Sequence, residues 1–328
     1  MIIDVHAHSL DRAFLDELAR ENAFGIARMK NGFGFGGYGE LDPLLFDIEQ
    51  RLEQVQSFGI DLQIVSPPPR IIGHVDWAAD RDFARRLNEQ TARTVTQGRG
   101  RLAGLAVLPL AEPQICVDEL HRALDEGHLG VVLPTSVGGR MLDDPSYEPL
   151  FAECERLRCI AFMHPTTAVM HPGFAQYTML QLVGWPTETA LCVGRLIFCG
   201  LFERHPELKL VLAHGGGALA MLIGRMDLAR VAPRYGANPQ CYEHITRAPS
   251  TYLRNIYFDS MVINDKALRF LIDLVGHDRI VFGSDAPFEI SDLSGDRVRT
   301  ALSDQTAAVL DDIFHRTARR NLLGWEMR

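Results

Sequence analysis

Ile2-Ile3-Asp4-Val5-His6-Ala7-His8, at the start of the chain, is a short apolar run that ends in two histidines one residue apart. Side chains alternate along a strand, so His6 and His8 point the same way off the end of a buried segment. Two parallel imidazoles at that spacing suit a divalent metal better than a hydrophobic core. A first strand that ends in such ligands is what a parallel barrel needs, because barrel enzymes keep their chemistry at the C-terminal ends of the strands.

Beyond this run, β-branched segments alternate with amphipathic stretches almost throughout. The candidate strands are Ile2–His6, Leu62–Ser66, Leu102–Leu108, Gly130–Leu133, Ile160–His164, Lys209–His214, Ile256–Asp259 and Ile280–Gly283. Between them, helical patterns cover Asp47–Phe58, Ala78–Thr96, Ile115–Glu126, Tyr147–Arg156, Thr187–Glu203, Ala218–Ala232 and Lys266–Val275. Eight strand–helix units predict the α/β class and a (β/α)8 TIM-like barrel. An open doubly wound sheet is the competing arrangement, but no Gly-x-Gly-x-x-Gly follows the first strand to support a dinucleotide fold.

With 328 residues, 47% of them hydrophobic, and no internal repeat or clear boundary, the chain reads as one barrel domain over residues 1–328. Two insertions interrupt the repeat on the strand-end side, at about 22–43 and 166–186. The first is dense in glycine (Gly32, Gly34, Gly36, Gly37, Gly39) with Phe33, Phe35 and Tyr38 interleaved; the second carries His171, Pro172, Tyr177 and Trp185. Long loops rich in aromatics at this end of a barrel suit a lid or pocket wall. A net charge of −9 without a basic run argues against nucleic acid or an anionic membrane as partner. No apolar stretch approaches a membrane span, and the start of the chain lacks the charged and apolar regions of a signal peptide. Six cysteines without a Cys-x-x-Cys predict buried free thiols in a reducing cytoplasm.

The residues leaving four strands form a constellation. The first strand ends in His6 and His8, the fifth in Met163-His164-Pro165, the sixth in Ala213-His214-Gly215-Gly216-Gly217 and the eighth in Gly283-Ser284-Asp285-Ala286-Pro287-Phe288. In a closed barrel these ends converge on one mouth. Three imidazoles and a carboxylate make a zinc shell with an open position, and His6, His8, His164 and Asp285 are the candidate ligands of one ion, Zn2+ with Mn2+ as the alternative. His214, beside glycines that let backbone approach closely, is then a general acid/base; its other reading is a fifth ligand of a binuclear site. Leu133-Pro134-Thr135 follows the fourth strand and provides no lysine to bridge two metals.

These motifs resemble the amidohydrolase superfamily and, within it, the branch typified by aminocarboxymuconate semialdehyde decarboxylase and its aromatic-acid decarboxylase relatives. The matching pieces are Ile3–His8, His164-Pro165, Leu182–Thr189, Phe202–Pro206, Ala213–Gly217, Gly224-Arg225 and Gly283–Phe288, with Leu182 to Arg225 the most specific. The resemblance implies one zinc on His6, His8, His164 and Asp285, with His214 handling the water on that metal. It also implies that Arg225 reaches a substrate carboxylate in the neighbouring subunit, which makes the enzyme at least a dimer; arginine's charge and fork geometry suit that work. The substrate pocket departs from the branch. No arginine stands in Gly36–Pro43, Thr166 replaces the tryptophan expected after His-Pro, and Ala286 replaces a tyrosine. Arg70, in Pro67-Pro68-Pro69-Arg70, is a candidate replacement cation, and Phe288 a candidate surface for stacking a ring.

The expected function is zinc-dependent, non-oxidative decarboxylation of a small aromatic or dienoic carboxylic acid, with Asp285 and His214 as the catalytic pair. Hydrolysis of an amide, lactone or related bond at the same metal is the alternative. A binding barrel without chemistry would show a degraded site, and no ligand position is degraded.

Overall fold

A computed structural model of the chain describes residues 1–30, 32–35, 39–72, 81–166, 172–231 and 238–325. Among them, eight parallel strands follow one another in chain order: β1 (Ile3–His8), β2 (Leu62–Ser66), β3 (Leu102–Gly104), β4 (Gly130–Leu133), β5 (Ile160–Met163), β6 (Lys209–Leu212), β7 (Ile256–Asp259) and β8 (Ile280–Val281). β1, β2 and β3 form one run of the wall and β4 through β8 the other, each strand beside its neighbour in sequence. Two bridges, Ala106 to Val131 and Ala7 to Ala286, join the runs into a closed (β/α)8 barrel. The second closure is reinforced by Val5 N donating to the Phe282 carbonyl at 2.9 Å and His8 N to that of Ala286 at 2.7 Å.

Alternation along the strands separates two apolar clusters. Ile3, Val5, Ile64, Val132, Phe162, Val211, Tyr257 and Val281 fill the interior. Val65, Val131, Leu133, Ala161, Leu210, Leu212, Phe258 and Ile280 face the surrounding helices. Each such side chain contributes about 1.5–3 kcal/mol on burial. Helices α1 (Arg12–Arg20), α2 (Ile48–Ser57), α3 (Arg81–Gln97), α4 (Cys116–Asp125), α5 (Glu148–Leu157), α6 (Trp185–Phe198), α7 (Leu219–Val231) and α8 (Asp265–Val275) cover the outside. Asp11, Asp47 and Asn264 cap α1, α2 and α8, each accepting a backbone N–H of the first turn.

Several elements differ from the sequence expectation. β1 runs through His8, because Ala7 and His8 still pair with β2. β3 stops at Gly104 and continues only as the Ala106 bridge. The helix expected over Thr187–Glu203 breaks into α6 and a turn at Leu201–Arg204. The break is Gly200, at φ +78°, where a Cβ would stand 2.4 Å from the His244 carbonyl oxygen. α1 was not expected, although Phe14, Leu15 and Leu18 give it a buried face. The glycine-rich insertion, expected as loop, contains a small antiparallel sheet of Ile26–Met29, Gly32–Phe35 and Gly39–Glu40. Gly-Phe-Gly-Phe is itself a period-two pattern: glycines on one face admit Met29 against Gly34, and Phe33 packs edge-on against Phe46. No helix of the described residues is long and apolar enough to cross a membrane.

Candidate metal centre

Interior-facing positions at the strand ends carry polar groups where the apolar filling stops. His6 and His8 leave β1, His164 follows β5, His214 follows β6, Asp259 ends β7 and Asp285 follows β8. One donor atom from each of His6, His164, His214 and Asp285 lies within 4.8 Å of the others. His8 joins them: its Nε2 is 3.1 Å from His6 Nε2 and 3.2 Å from Asp285 Oδ1. All five residues expected at the metal therefore meet in one cluster, and proximity alone does not separate His8 from His214.

The second nitrogen of each ring does separate them. His6 Nδ1 lies 2.6 Å from Asp259 Oδ2, His8 Nδ1 3.2 Å from the Pro67 carbonyl and His164 Nδ1 2.7 Å from the Pro165 carbonyl. A carbonyl or carboxylate only accepts, so each Nδ1 is a protonated nitrogen and each Nε2 is the nitrogen left to face a cation. His214 is different. Its Nε2 stands 3.4 Å from Asp285 Oδ2, and no described residue holds its Nδ1. It is also part-exposed, whereas His6, His8 and His164 are buried.

The arrangement fits a cation. Asp285 Oδ1 is buried without a hydrogen bond, although the Nε2 atoms of His6 and His8 each approach it to 3.2 Å. Lone pairs facing a carboxylate repel unless a positive charge lies between them. Burial opposes a charge on His6, yet without an ion Asp285 and Asp259 outweigh it and push the imidazole up to about 10, so a proton on Nε2 supplies the positive charge that a metal would replace. Burial keeps His8 and His164 below the ordinary imidazole value, in the neutral form that ligates metals. Burial works against ionised Asp285 too, but the surrounding imidazoles hold its carboxyl well below the usual range. With the His6 proton displaced by a metal, three imidazole nitrogens and one carboxylate would be a donor set for zinc or manganese.

Local backbone presents these groups. His214 and Asp285 have φ of +55° and +57°, the left-handed region that non-glycine residues adopt at a cost of about 1–2 kcal/mol. Gly215 and Gly217 let the His214 turn close: a Cβ would meet Val262 at 2.4 Å in the first case and the Pro186 carbonyl oxygen at 2.3 Å in the second. Gly283 lets β8 approach β1, since a Cβ there would lie 2.9 Å from both Asp259 Cβ and His6 Cβ.

Asp259 was missed as a site residue. Besides His6, its carboxylate accepts Gly215 N at 2.8 Å and Met261 N at 3.0 Å, so one side chain ties the His6 ring to the His214 turn. Its signal was a lone carboxylate closing the apolar run Ile256-Tyr257-Phe258. Phe288 lies beside the cluster, its ring 5.1 Å from that of His8. Arg225 sits on the exposed side of α7, and its side chain has no ion pair or hydrogen bond among the described residues. Arg70 is the second residue of the short helix Pro69–Ile72, but its side chain lies outside the described residues, as do Gly36, Gly37, Tyr38 and His171.

Residues 3–323 match the family described as Amidohydrolase. The chain belongs to the amidohydrolase family. A 2-amino-3-carboxymuconate-6-semialdehyde decarboxylase of Dictyostelium discoideum is 30% identical, with 98% of this chain and 89% of that protein covered. A gamma-resorcylate decarboxylase of Rhodococcus jostii is 31% identical over 83% of this chain and 88% of its own length. Among solved structures, a dihydroxybenzoic acid decarboxylase from Polaromonas, with bound manganese and the inhibitor 2-nitroresorcinol, superposes with a TM-score of 0.77 at 22% identity, covering 97% of this chain and 96% of that one. That likeness establishes the shared barrel. Within the amidohydrolase family, this chain falls with proteins named decarboxylases.

Proposed function

We propose that the chain is a metal-dependent decarboxylase that removes carbon dioxide, without oxidation, from a small aromatic or dienoic carboxylic acid. The observation that carries the reading is the contrast among the four imidazoles: His6, His8 and His164 have Nδ1 tied to a carboxylate or carbonyl, and His214 has its Nδ1 held by no described residue. Relatives named for decarboxylation of such acids support the reaction class. The proposed ligands are His6, His8, His164 and Asp285. Zinc is the proposed resident ion because the shell is rich in imidazole, and manganese, present in the Polaromonas structure, is the substitute.

A divalent ion held there supplies a Lewis acid that offsets the negative charge developing on the substrate. As the bond to the carboxylate breaks, carbon dioxide leaves and its bonding pair stays on the former carboxyl-bearing carbon. That carbon then takes a proton. His214 Nε2 delivers it, and Nδ1, which no described residue holds, gives the ring a route for exchange with solvent. Asp285 Oδ2 orients the His214 ring from 3.4 Å, acting with it as the catalytic pair. Phe288 offers a planar apolar face for the substrate ring next to His8. Arg70 is the proposed additional cation at the mouth.

Arg225 is proposed to bind the substrate carboxylate of a neighbouring subunit. Met221, Arg225 and Leu228 recur at i, i+4 and i+7 on α7, so they share a face. Met221 is 73% and Leu228 50% exposed, and a Cβ at Gly224 would meet nothing. An exposed apolar stripe with one guanidinium that no described residue pairs suits a homodimer contact better than solvent. The six free thiols, four of them buried, support a reducing cytoplasmic setting.

The test is to strip the chain of metal and reload it with zinc or manganese. Carbon dioxide release is then followed with hydroxybenzoic and muconate-type acids, alongside amides and lactones. Metal-dependent carbon dioxide release is the expected result. Turnover of an amide or lactone with none from any acid would overturn it.

A further inference from the structure

Asp4, Arg51, Gln63 and Ser284 are polar residues exposed by 2% or less, and none of the chemistry above uses them. Asp4, Gln63 and Ser284 occupy positions on the helix-facing side of the barrel wall, and Arg51 reaches them from α2. One chain of hydrogen bonds joins the four. Arg51 Nη2 donates to the His8 carbonyl at 2.5 Å, and Nη1 donates to Gln63 Oε1 at 2.6 Å. Gln63 Nε2 in turn donates to Asp4 Oδ2 at 2.8 Å. The Asp4 carboxylate also accepts Ser284 Oγ at 2.6 Å, Ser284 N at 2.9 Å and His6 N at 3.2 Å.

Both ends of this chain fall where the backbone departs from regularity. Asp4 pairs with Gln63, but the next pair is Ala7 with Val65, so three steps along β1 match two along β2. That is a β-bulge. Ile3 and Val5 face the interior, and strict alternation from them would turn His6 and His8 outward, with Asp4. The bulge reverses the parity, and both imidazoles face in. An extra residue in a bulge lacks a ladder partner, and Asp4 Oδ1 accepts the His6 N–H. At the other end stands Asp285, left-handed at φ +57°. Such a residue persists only where its surroundings over-determine it. The preceding residue, Ser284, is held at both N and Oγ by the same Asp4 carboxylate.

We propose that Asp4, anchored through Gln63 to Arg51, is a positioning residue for the metal shell. Its carboxylate holds both the bulge that turns His6 and His8 inward and the turn that presents Asp285. Arg51 supplies the buried countercharge and fixes the His8 carbonyl, so both strand ends are set by one network outside the barrel wall. The inference rests on the reading of the site as a metal centre.

The test uses the full chain with Co2+ as the probe, in wild type, Ser284→Ala, Asp4→Asn and His164→Ala. Three quantities are measured: the Co2+ dissociation constant by chelator competition, the visible spectrum of the bound ion, and the melting of the metal-free protein. Ser284→Ala removes one hydroxyl contact; Asp4→Asn keeps the shape but loses the charge and an acceptor. Co2+ should bind about 10–100-fold more weakly in both, the range for losing a partner behind a metal ligand. Its spectrum should change in both, while Ser284→Ala still melts cooperatively near wild type. A wild-type Co2+ constant and spectrum in Ser284→Ala would overturn the proposal, whether or not Asp4→Asn folds. Failure of the metal reading looks different: wild type would not bind Co2+, or His164→Ala would bind it as tightly as wild type, and the proposal would fall with that reading.

Discussion

Asp259→Asn is a more demanding test of the site than removal of a ligand, because it preserves shape and changes only hydrogen-bond polarity. The wild-type carboxylate accepts on both sides: His6 Nδ1–H on Oδ2 at 2.6 Å, and the N–H groups of Gly215 and Met261 on Oδ1 at 2.8 and 3.0 Å. A carboxamide has one accepting and one donating end. If its oxygen faces His6, its NH2 meets two backbone donors inside the wall, where a buried unsatisfied group costs about 1–3 kcal/mol. If the oxygen faces the backbone, the NH2 points at His6 Nδ1. That forces the proton to Nε2, the atom turned toward the metal donors. Neither orientation keeps both the tautomer and the turn. Metal affinity should therefore fall by about 10–100-fold, or about 1.4–2.7 kcal/mol. Chelator competition measures the affinity, and nitrogen NMR of the His6 ring reports the tautomer. An Asp259→Asn chain that binds zinc as tightly as wild type, with Nδ1 still protonated, would refute the argument that Asp259 sets the ligand nitrogen of His6.

Replacing His164 or Asp285 by alanine should remove most bound metal and nearly all activity; full metal occupancy in both variants would mean the shell is drawn wrongly. His214→Ala should keep its metal while turnover drops roughly 10²–10⁴-fold, the usual range for general acid–base catalysis. Metal lost in step with activity would instead make His214 a ligand. Arg225→Ala should weaken carboxylate binding by roughly 1.5–3 kcal/mol, the contribution of a hydrogen bond to a charged group. Mixing inactive Arg225→Ala and His214→Ala chains should restore turnover, since one site of a mixed dimer pairs an intact His214 with the partner's intact arginine. No recovery after verified subunit exchange would place Arg225 in its own subunit's site.

The barrel and most of the cluster at its mouth were legible in the sequence because they depend on local rules. Alternating β-branched and amphipathic stretches are a one-dimensional pattern, and a polar residue closing an apolar run marks a strand end. His6, His8, His164, His214 and Asp285 all satisfy that rule, and the closed wall brings their ends together. Three other features were settled only by the folded chain. Alternation in β1 does not place His6 inside; the bulge does, and it arises from pairing against β2, a strand more than fifty residues away. The nitrogen that each imidazole offers is set by what meets the other one: Asp259 from β7 for His6, and the carbonyls of Pro67 and Pro165 for His8 and His164. Arg51 looks like a solvated helix residue until α2 packs on the wall and buries its guanidinium against Gln63 and the His8 carbonyl. Periodicity records which way a side chain tends to face. Register, tautomer and countercharge depend on the neighbour across the wall, and that neighbour exists only after closure.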